Sequence, residues 1–316
     1  MLSSTDMKER SFLQLMGKGK RCWKHVQSYE DQKNLQEFEE LFLKSQEKKR
    51  GLEFIIPQII HFVWLGNKPY PQKSKQNLKT WENFHPNWKV QFWDDHNVDS
   101  QILGRFQGIY EASDNFGEKS DIIRLLVLDK MGGVYVDHDM ECRHCFDEIH
   151  KTYPFYGGLL TPGNPVIQRS AILRNSIIGA KKGHPILKKA LEIAEERWDR
   201  IGNQFPGADI TSTKKRVTLR VFASFHEAVL EAIRMPGFDG IIYPAGYFNE
   251  IERDYGLYTK EEMVGAWYTE EMTHHEEYLK KRLHKMMKRT YFLVAILGVT
   301  VLALFICVIL LWMKIQ

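Results

Sequence analysis

Two aspartates one residue apart, Asp137 and Asp139, close a run of small and apolar residues, Gly132-Gly133-Val134-Tyr135-Val136. Carboxylates at this spacing suit hard divalent ions. Mg²⁺ or Mn²⁺ takes oxygen ligands, usually one or two acids plus the phosphates of a substrate. In an extended segment, residues two apart share a side, so Asp137 and Asp139 are expected to face one ligand while His138 points away. A metal held there would bridge the acids to a diphosphate and neutralise charge on a departing nucleoside diphosphate. An Asp-x-Asp alone is a weak signal, because such pairs commonly cap turns. Its place at the end of an apolar strand strengthens it.

Two other chemistries compete for the same residues. A phosphohydrolase with a nucleophilic first aspartate would want a Lys and an acidic pair later in the chain. Here Asp139 is followed by Met140-Glu141, and the pair Asp94-Asp95 comes earlier. Zinc could take Cys142 and Cys145 together with His138, His144 or His150. A structural zinc site normally needs a second matched pair, which this sequence lacks, so ordinary thiols are the simpler reading.

The elements around the acids alternate. FIIPQIIHFVWLG gives a buried strand over about Gln58–Trp64, a polar helix follows over about Lys73–Phe84, and NWKVQFWDD gives a strand over Trp88–Trp93. Helical segments are expected near 97–112 and 118–130, the second capped by Ser120 and stopped at Gly132-Gly133. Strands are then expected at Val134–Val136 and within Pro154–Leu160, with a helix from His184 to Trp198 and loops with short elements over 200–270. Such alternation argues for an α/β fold whose mainly parallel sheet has helices on both faces. Ligands of such sheets gather beyond the carboxyl ends of strands, where Trp64, Asp94 and Asp137 all fall. Before them, residues 1–53 form a helical region in which Leu35, Phe38 and Phe42 make a narrow apolar stripe suited to docking on the main domain.

With 316 residues, 43% of them apolar, the chain can bury a large core, and a net charge of +4 is too small to argue for nucleic acid. Four cysteines make no disulfide framework. Tyr291 to Trp312 carries no charge over 22 residues, about 33 Å as a helix, and is expected to span a membrane. Six Lys or Arg lie within Lys280–Arg289 just before it, inside a basic juxtamembrane segment over 273–290. The expectation is a single-pass, tail-anchored protein with its bulk on the cytosolic side.

Several blocks in order make the chain resemble the Asp-x-Asp sugar transferases of glycosyltransferase family 32, which include mannosyltransferases of glycans and inositol phosphoceramide. The glucosylating bacterial toxins are similar more distantly. The blocks are Ile56–Gly66, Thr80–Asp95, Lys119–Cys142, Phe146–Ile149, Asn175–Leu191 and Tyr243–Asn249. The resemblance implies a GT-A-type, Rossmann-like catalytic domain over 54–272 and retaining transfer of a hexose from a UDP- or GDP-sugar to a glycan, lipid-linked or protein acceptor, with Mn²⁺ or Mg²⁺. It implies that Trp64 stacks on the nucleotide base and that Asp121 and Arg124, in Ser-Asp-x-x-Arg, orient the donor sugar. It further implies that Tyr135 lines the donor pocket, that Asp137 contacts ribose and sugar hydroxyls, and that Asp139 ligates the metal beside it. Trp267 stands where a late tryptophan reaches the diphosphate. Gly207–Leu219 lacks the family's Gly-Pro element, and Glu261–Glu271 lacks its late His. A membrane-tethered nucleotide-sugar binder without turnover is therefore the alternative.

Overall fold

The computed structural model describes residues 10–163, 170–207, 209–249, 251, 256–261 and 287. The chain divides into two compact units, 1–266 and 267–316, and the description below concerns the first. Its labelled elements are helix α1 (Tyr29–Gln46), strand β1 (Ile59–Val63), helix α2 (Gln72–Phe84), strand β2 (Lys89–Trp93) and helix α3 (Phe116–Met131). There follow β3 (Gly133–Val136), β4 (Met140–Cys142), β5 (Phe155–Gly158), β6 (Ile177–Ala180), α4 (Pro185–Gln204), α5 (Ala223–Arg234), β7 (Ile241–Tyr243) and β8 (Thr259–Glu261).

Six strands form one sheet in the order β2-β1-β3-β6-β5-β7, and β4 pairs with β8 in a separate ladder. β1 runs parallel to β2 and β3, and β7 is parallel to β5, but β6 is antiparallel to both β3 and β5. The sheet is therefore mainly parallel, as expected, with β6 alone reversed among its strands. A parallel neighbour needs a crossover connection, usually a helix. No helix lies between β5 and β6 among the described residues, and β6 folds back beside β5 instead. All residues of β3, β5, β6 and β7 are buried, so both faces of the sheet are covered there.

The three strands that aim at the site are locked together by one histidine. His61 on β1 bonds the Gly132 carbonyl through Nε2 (2.8 Å), and its Nδ1 accepts from Trp93 Nε1 of β2 (3.0 Å). Burial holds this imidazole down at about 4, so it stays neutral at pH 7 and can both donate and accept. The Gly-Gly turn before β3 follows from backbone geometry. Gly132 and Gly133 have φ of 69° and 111°, and a Cβ on Gly133 would lie 2.5 Å from the Ile59 carbonyl.

α3 starts earlier than Ser120. Its cap is Asn115, whose side chain accepts from the Glu118 amide at 3.1 Å, leaving Ser120 within the helix. The 97–112 segment breaks into short helices at Ser100–Leu103, Gly104–Phe106 and Gln107–Ala112. Within 200–270, expected as loops with short elements, lie a helix at Ile210–Val217, a π turn at Thr218–Phe222 and the longer α5. Val229 and the buried residues Phe225, Ala228 repeat at three and four, a helical period that the glycines and tyrosines nearby obscured. Leu35, Phe38 and Phe42 of α1 are buried in the same core as the sheet, and 1–53 belongs to the same compact unit as the residues that follow.

The 291–312 run lies outside the described residues, among which no helix is long and apolar enough to cross a membrane.

α2 lies along the turn that carries the two acids. Ser74, Asn77 and Trp81, spaced at three and four, are its buried residues. Trp81 Nε1 donates to the Met140 carbonyl (2.9 Å), Thr80 Oγ1 accepts from the Cys142 amide (2.8 Å), and Asn77 reaches the His138 carbonyl (3.4 Å). Because Trp81 is fully buried, Trp81→Phe should strand the Met140 carbonyl and cost about 1–3 kcal/mol of stability. Urea denaturation of the full chain checks this, and an unchanged midpoint would show that the bond contributes nothing.

Candidate functional site

β1, β2 and β3 run in the same direction, so Trp64, Asp94 and Asp137 leave the sheet at one edge. Asp94 and Asp95 are used locally. Asp94 Oδ1 accepts from the His96 amide (3.0 Å), and Asp95 Oδ2 from the Gly66 amide (2.5 Å), fixing the turn after Trp64. Asp137 and Asp139 do not share one extended strand. The chain turns at His138-Asp139, closed by Met140 N donating to the Asp137 carbonyl (3.1 Å), and enters β4. The turn, rather than strand alternation, sets where the two acids lie, and it places His138 against Trp64 instead of away from it.

A buried guanidinium organises the carboxylates. Arg124 Nη2 lies 2.6 Å from Asp121 Oδ1 with both side chains almost wholly buried, and Arg124 Nη1 is 3.4 Å from Asp137 Oδ1. Nη1 also donates to the Asn175 carbonyl (2.6 Å), and the guanidinium stacks over the Tyr135 ring at 4.4 Å. Asn175 Nδ2 donates to Asp121 (2.9 Å), and Tyr135 Oη donates to Asp137 Oδ1 (2.7 Å). The Asp137 amide is anchored on the Ser176 carbonyl at 2.9 Å, across the β3–β6 pairing. Asp121, Arg124, Tyr135 and Asp137 therefore meet in one network. Asp121 and Arg124 form an ion pair, but a buried one rather than a pair on a solvated helix face. Burial pushes Asp121 up to about 7 against the pull of Arg124, with Asp137 and Glu118 adding to the rise.

Asp139 is buried while Asp137 keeps a quarter of its side chain accessible. The charge of Asp139 is felt by both Arg124 and the Tyr70 hydroxyl, which places all three groups in one neighbourhood. Trp64 is partly exposed beside it. Its indole packs edge-on against Tyr70 (5.5 Å) and His138 (4.9 Å), and its Nε1 donates to the Lys68 carbonyl (2.8 Å). Burial holds the His138 imidazole below its usual range in spite of Asp137, so the ring is neutral at pH 7.

A divalent ion here would be offered the carboxylates of Asp137 and Asp139, while the His138 ring is taken up by Ser74 and Trp64. That set fits Mg²⁺ or Mn²⁺ bound through one or two acids plus substrate oxygens. No group of three or more His, Cys, Asp or Glu gathers into a metal cage among the described residues. The zinc alternative lacks the same cage among the described residues, and the Cys142 thiol is turned onto the His144 carbonyl (3.3 Å). Trp267 lies outside the described residues. Ser74 and Tyr70 carried no motif of their own, and Asn175, the first residue of the Asn175–Leu191 block, was given no role there.

Residues 71–156 match a family model described as "Glycosyltransferase sugar-binding region containing DXD motif". The inositol phosphoceramide mannosyltransferase 3 of Schizosaccharomyces pombe is 28% identical over 135 residues, covering 42% of this chain and 35% of that protein. The subversion of eukaryotic traffic protein A of Legionella pneumophila is 30% identical over 175 residues, covering 47% and 26%. The match thus spans about a third or less of either relative's length. Among solved structures, a chain titled PaToxG glycosyltransferase aligns with a TM-score of 0.44 at 20% identity, covering 64% of this chain and 78% of that one.

The Asp121–Arg124 pair yields a pH prediction. A carboxyl whose folded pKa is raised favours the folded state while protonated, and that advantage is lost as pH rises from the unfolded value through about 7. Between pH 5 and pH 8 the wild type should lose stability relative to Asp121→Asn. Denaturant midpoints for both proteins at each pH check this, and a gap that widens in favour of the wild type would contradict it. The matched residues 71–156 hold α2, the Asp121–Arg124 helix and the Asp-His-Asp turn, so the likeness to the DXD-containing sugar-binding region falls on the elements that build this site.

Proposed function

We propose that this chain is a metal-dependent, retaining glycosyltransferase that moves a hexose from a UDP- or GDP-sugar to an acceptor. The observation that carries the reading is the convergence of Asp121, Arg124, Tyr135, Asp137 and Asn175 on one buried network beside Asp139 and a partly exposed Trp64. The matched sugar-binding region supports the same class of reaction.

Each residue has a physical task in this reading. Trp64 offers its indole to the nucleotide base, and Tyr135 closes the donor pocket through its bond to Asp137. Asp121, held by Arg124 and Asn175, accepts hydrogen bonds from sugar hydroxyls in a water-poor setting where they are strong. Arg124 keeps three neighbouring acids compatible with one another by supplying positive charge at their centre. Asp139, with Asp137, would hold Mn²⁺ or Mg²⁺, whose chemistry is to offset negative charge on the leaving diphosphate. No unpaired carboxylate stands in this network as a nucleophile, which supports transfer from the front face. Trp267 would join the diphosphate end of the site.

The acceptor follows less directly. A charge-free 291–312 run behind a basic 280–289 segment supports a membrane span with the catalytic unit on the cytosolic side, and hence a lipid-linked or membrane-protein acceptor. The relative's printed name, a mannosyltransferase acting on inositol phosphoceramide, agrees with a lipid acceptor.

The test is donor hydrolysis by the full chain with UDP- and GDP-sugars and Mn²⁺. Asp139→Ala should reduce turnover by about 100-fold or more, since several kcal/mol of charge stabilisation is lost. Full activity of that variant in the presence of chelator would remove the metal from the mechanism. Thermal stabilisation by a donor that is never hydrolysed would make the chain a binding module instead.

A further inference from the structure

The Trp64 indole is braced by a chain of contacts that begins inside α2. Ser74 is fully buried, and its Oγ is hydrogen-bonded to His138 Nδ1 at 2.7 Å. The His138 ring stands edge-on to Trp64, with centroids 4.9 Å apart and planes at 76°. Tyr70 adds a second ring, 5.5 Å from Trp64 at 78°, and its own back rests on Phe92 at 5.0 Å. The Asn77 amide reaches the His138 carbonyl, so α2 grips the residue between the two aspartates by ring and backbone together. Asp137 is held by Tyr135 and Arg124, which are independent of Ser74.

We propose that Ser74 and His138 are positioning residues for Trp64: the hydrogen bond fixes the imidazole rotation, and the imidazole edge fixes the plane of the indole. The residue between the two acids then sets how well the site holds a nucleotide base. This deepens the sugar-transfer reading and rests on it. The physical ground is that a ring stacks well on a base only when its face is presented at a defined angle. An imidazole free to rotate would let the indole swing. Edge-to-face ring pairs prefer the observed separation and angle, and the Ser74 hydroxyl, sealed from water, has His138 as the partner that satisfies it.

The test uses the full chain with Mn²⁺ and either UDP or GDP, reading nucleotide affinity by titration calorimetry, so that variants lacking Trp64 can be read on the same scale. His138→Ala should weaken affinity by about three- to tenfold, the worth of one aromatic contact. Ser74→Ala should give a smaller loss in the same direction. His138→Phe keeps a ring against Trp64 and should retain more affinity than His138→Asn, which keeps a partner for Ser74 but no ring. Donor KM should rise by a larger factor than kcat falls, and Mn²⁺ affinity without nucleotide should stay at the wild-type level. If His138→Ala and Ser74→Ala bind nucleotide like the wild type while Trp64→Ala does not, the positioning role is refuted. A loss of Mn²⁺ affinity matching the loss of nucleotide affinity would also overturn it, because the residue would then act through the acids. Should His138→Ala fail to fold, Ser74→Ala and His138→Phe carry the comparison. If the wild type itself binds neither nucleotide, the sugar-nucleotide reading has failed, and this proposal falls with it.

Discussion

One cation makes the site possible. Asp121, Asp137 and Asp139 lie close enough that all three bear on Arg124, and the guanidinium sits among them almost wholly removed from water. Without it, an acid on α3 and two acids beyond β3 would face one another with no positive charge between them. Removing one partner of a buried pair typically costs about 3–5 kcal/mol, because the other charge is left alone. The planar fork of arginine suits this position. It bonds Asp121, reaches Asp137, donates to the Asn175 carbonyl and still lays its face on Tyr135.

The rest of the fold supplies rigid edges for that cation and its acids. His61 ties β1, β2 and the Gly-Gly turn, so three strand ends are fixed relative to each other before any side chain is placed. β6 runs antiparallel beside β3 and brings Asn175 and Ser176 to the rim, where one braces Asp121 and the other holds the Asp137 amide. α2 closes the far side of the turn through Ser74, Asn77, Thr80 and Trp81. Arg174, almost fully buried, joins Ser176 to Glu261 of β8, so the small β4–β8 ladder is anchored to the same rim.

Much of this was legible in the sequence because it depends on local rules. Apolar runs ending in Trp64 and Val136, a polar helix between them and a glycine pair before β3 each leave a periodic or conformational signature. What escaped depends on tertiary pairing. Strand alternation put His138 on the wrong side because the chain turns at that residue. The antiparallel β6 could not be read from its composition, since a buried strand looks alike in either direction. Asn175 and Ser74 are common polar residues whose importance comes only from what lies opposite them. α5 hid behind neighbouring glycines although its own spacing was helical.

The central claim is that Asp137 and Asp139 hold a divalent cation against a diphosphate. Anomalous scattering at the manganese edge, from crystals of the full chain grown with Mn²⁺ and UDP, tests it most directly. The account predicts one manganese peak within coordination distance of the Asp139 carboxylate and in contact with the diphosphate. A diphosphate bound with no metal at those acids, or metal bound elsewhere on the chain, would contradict it.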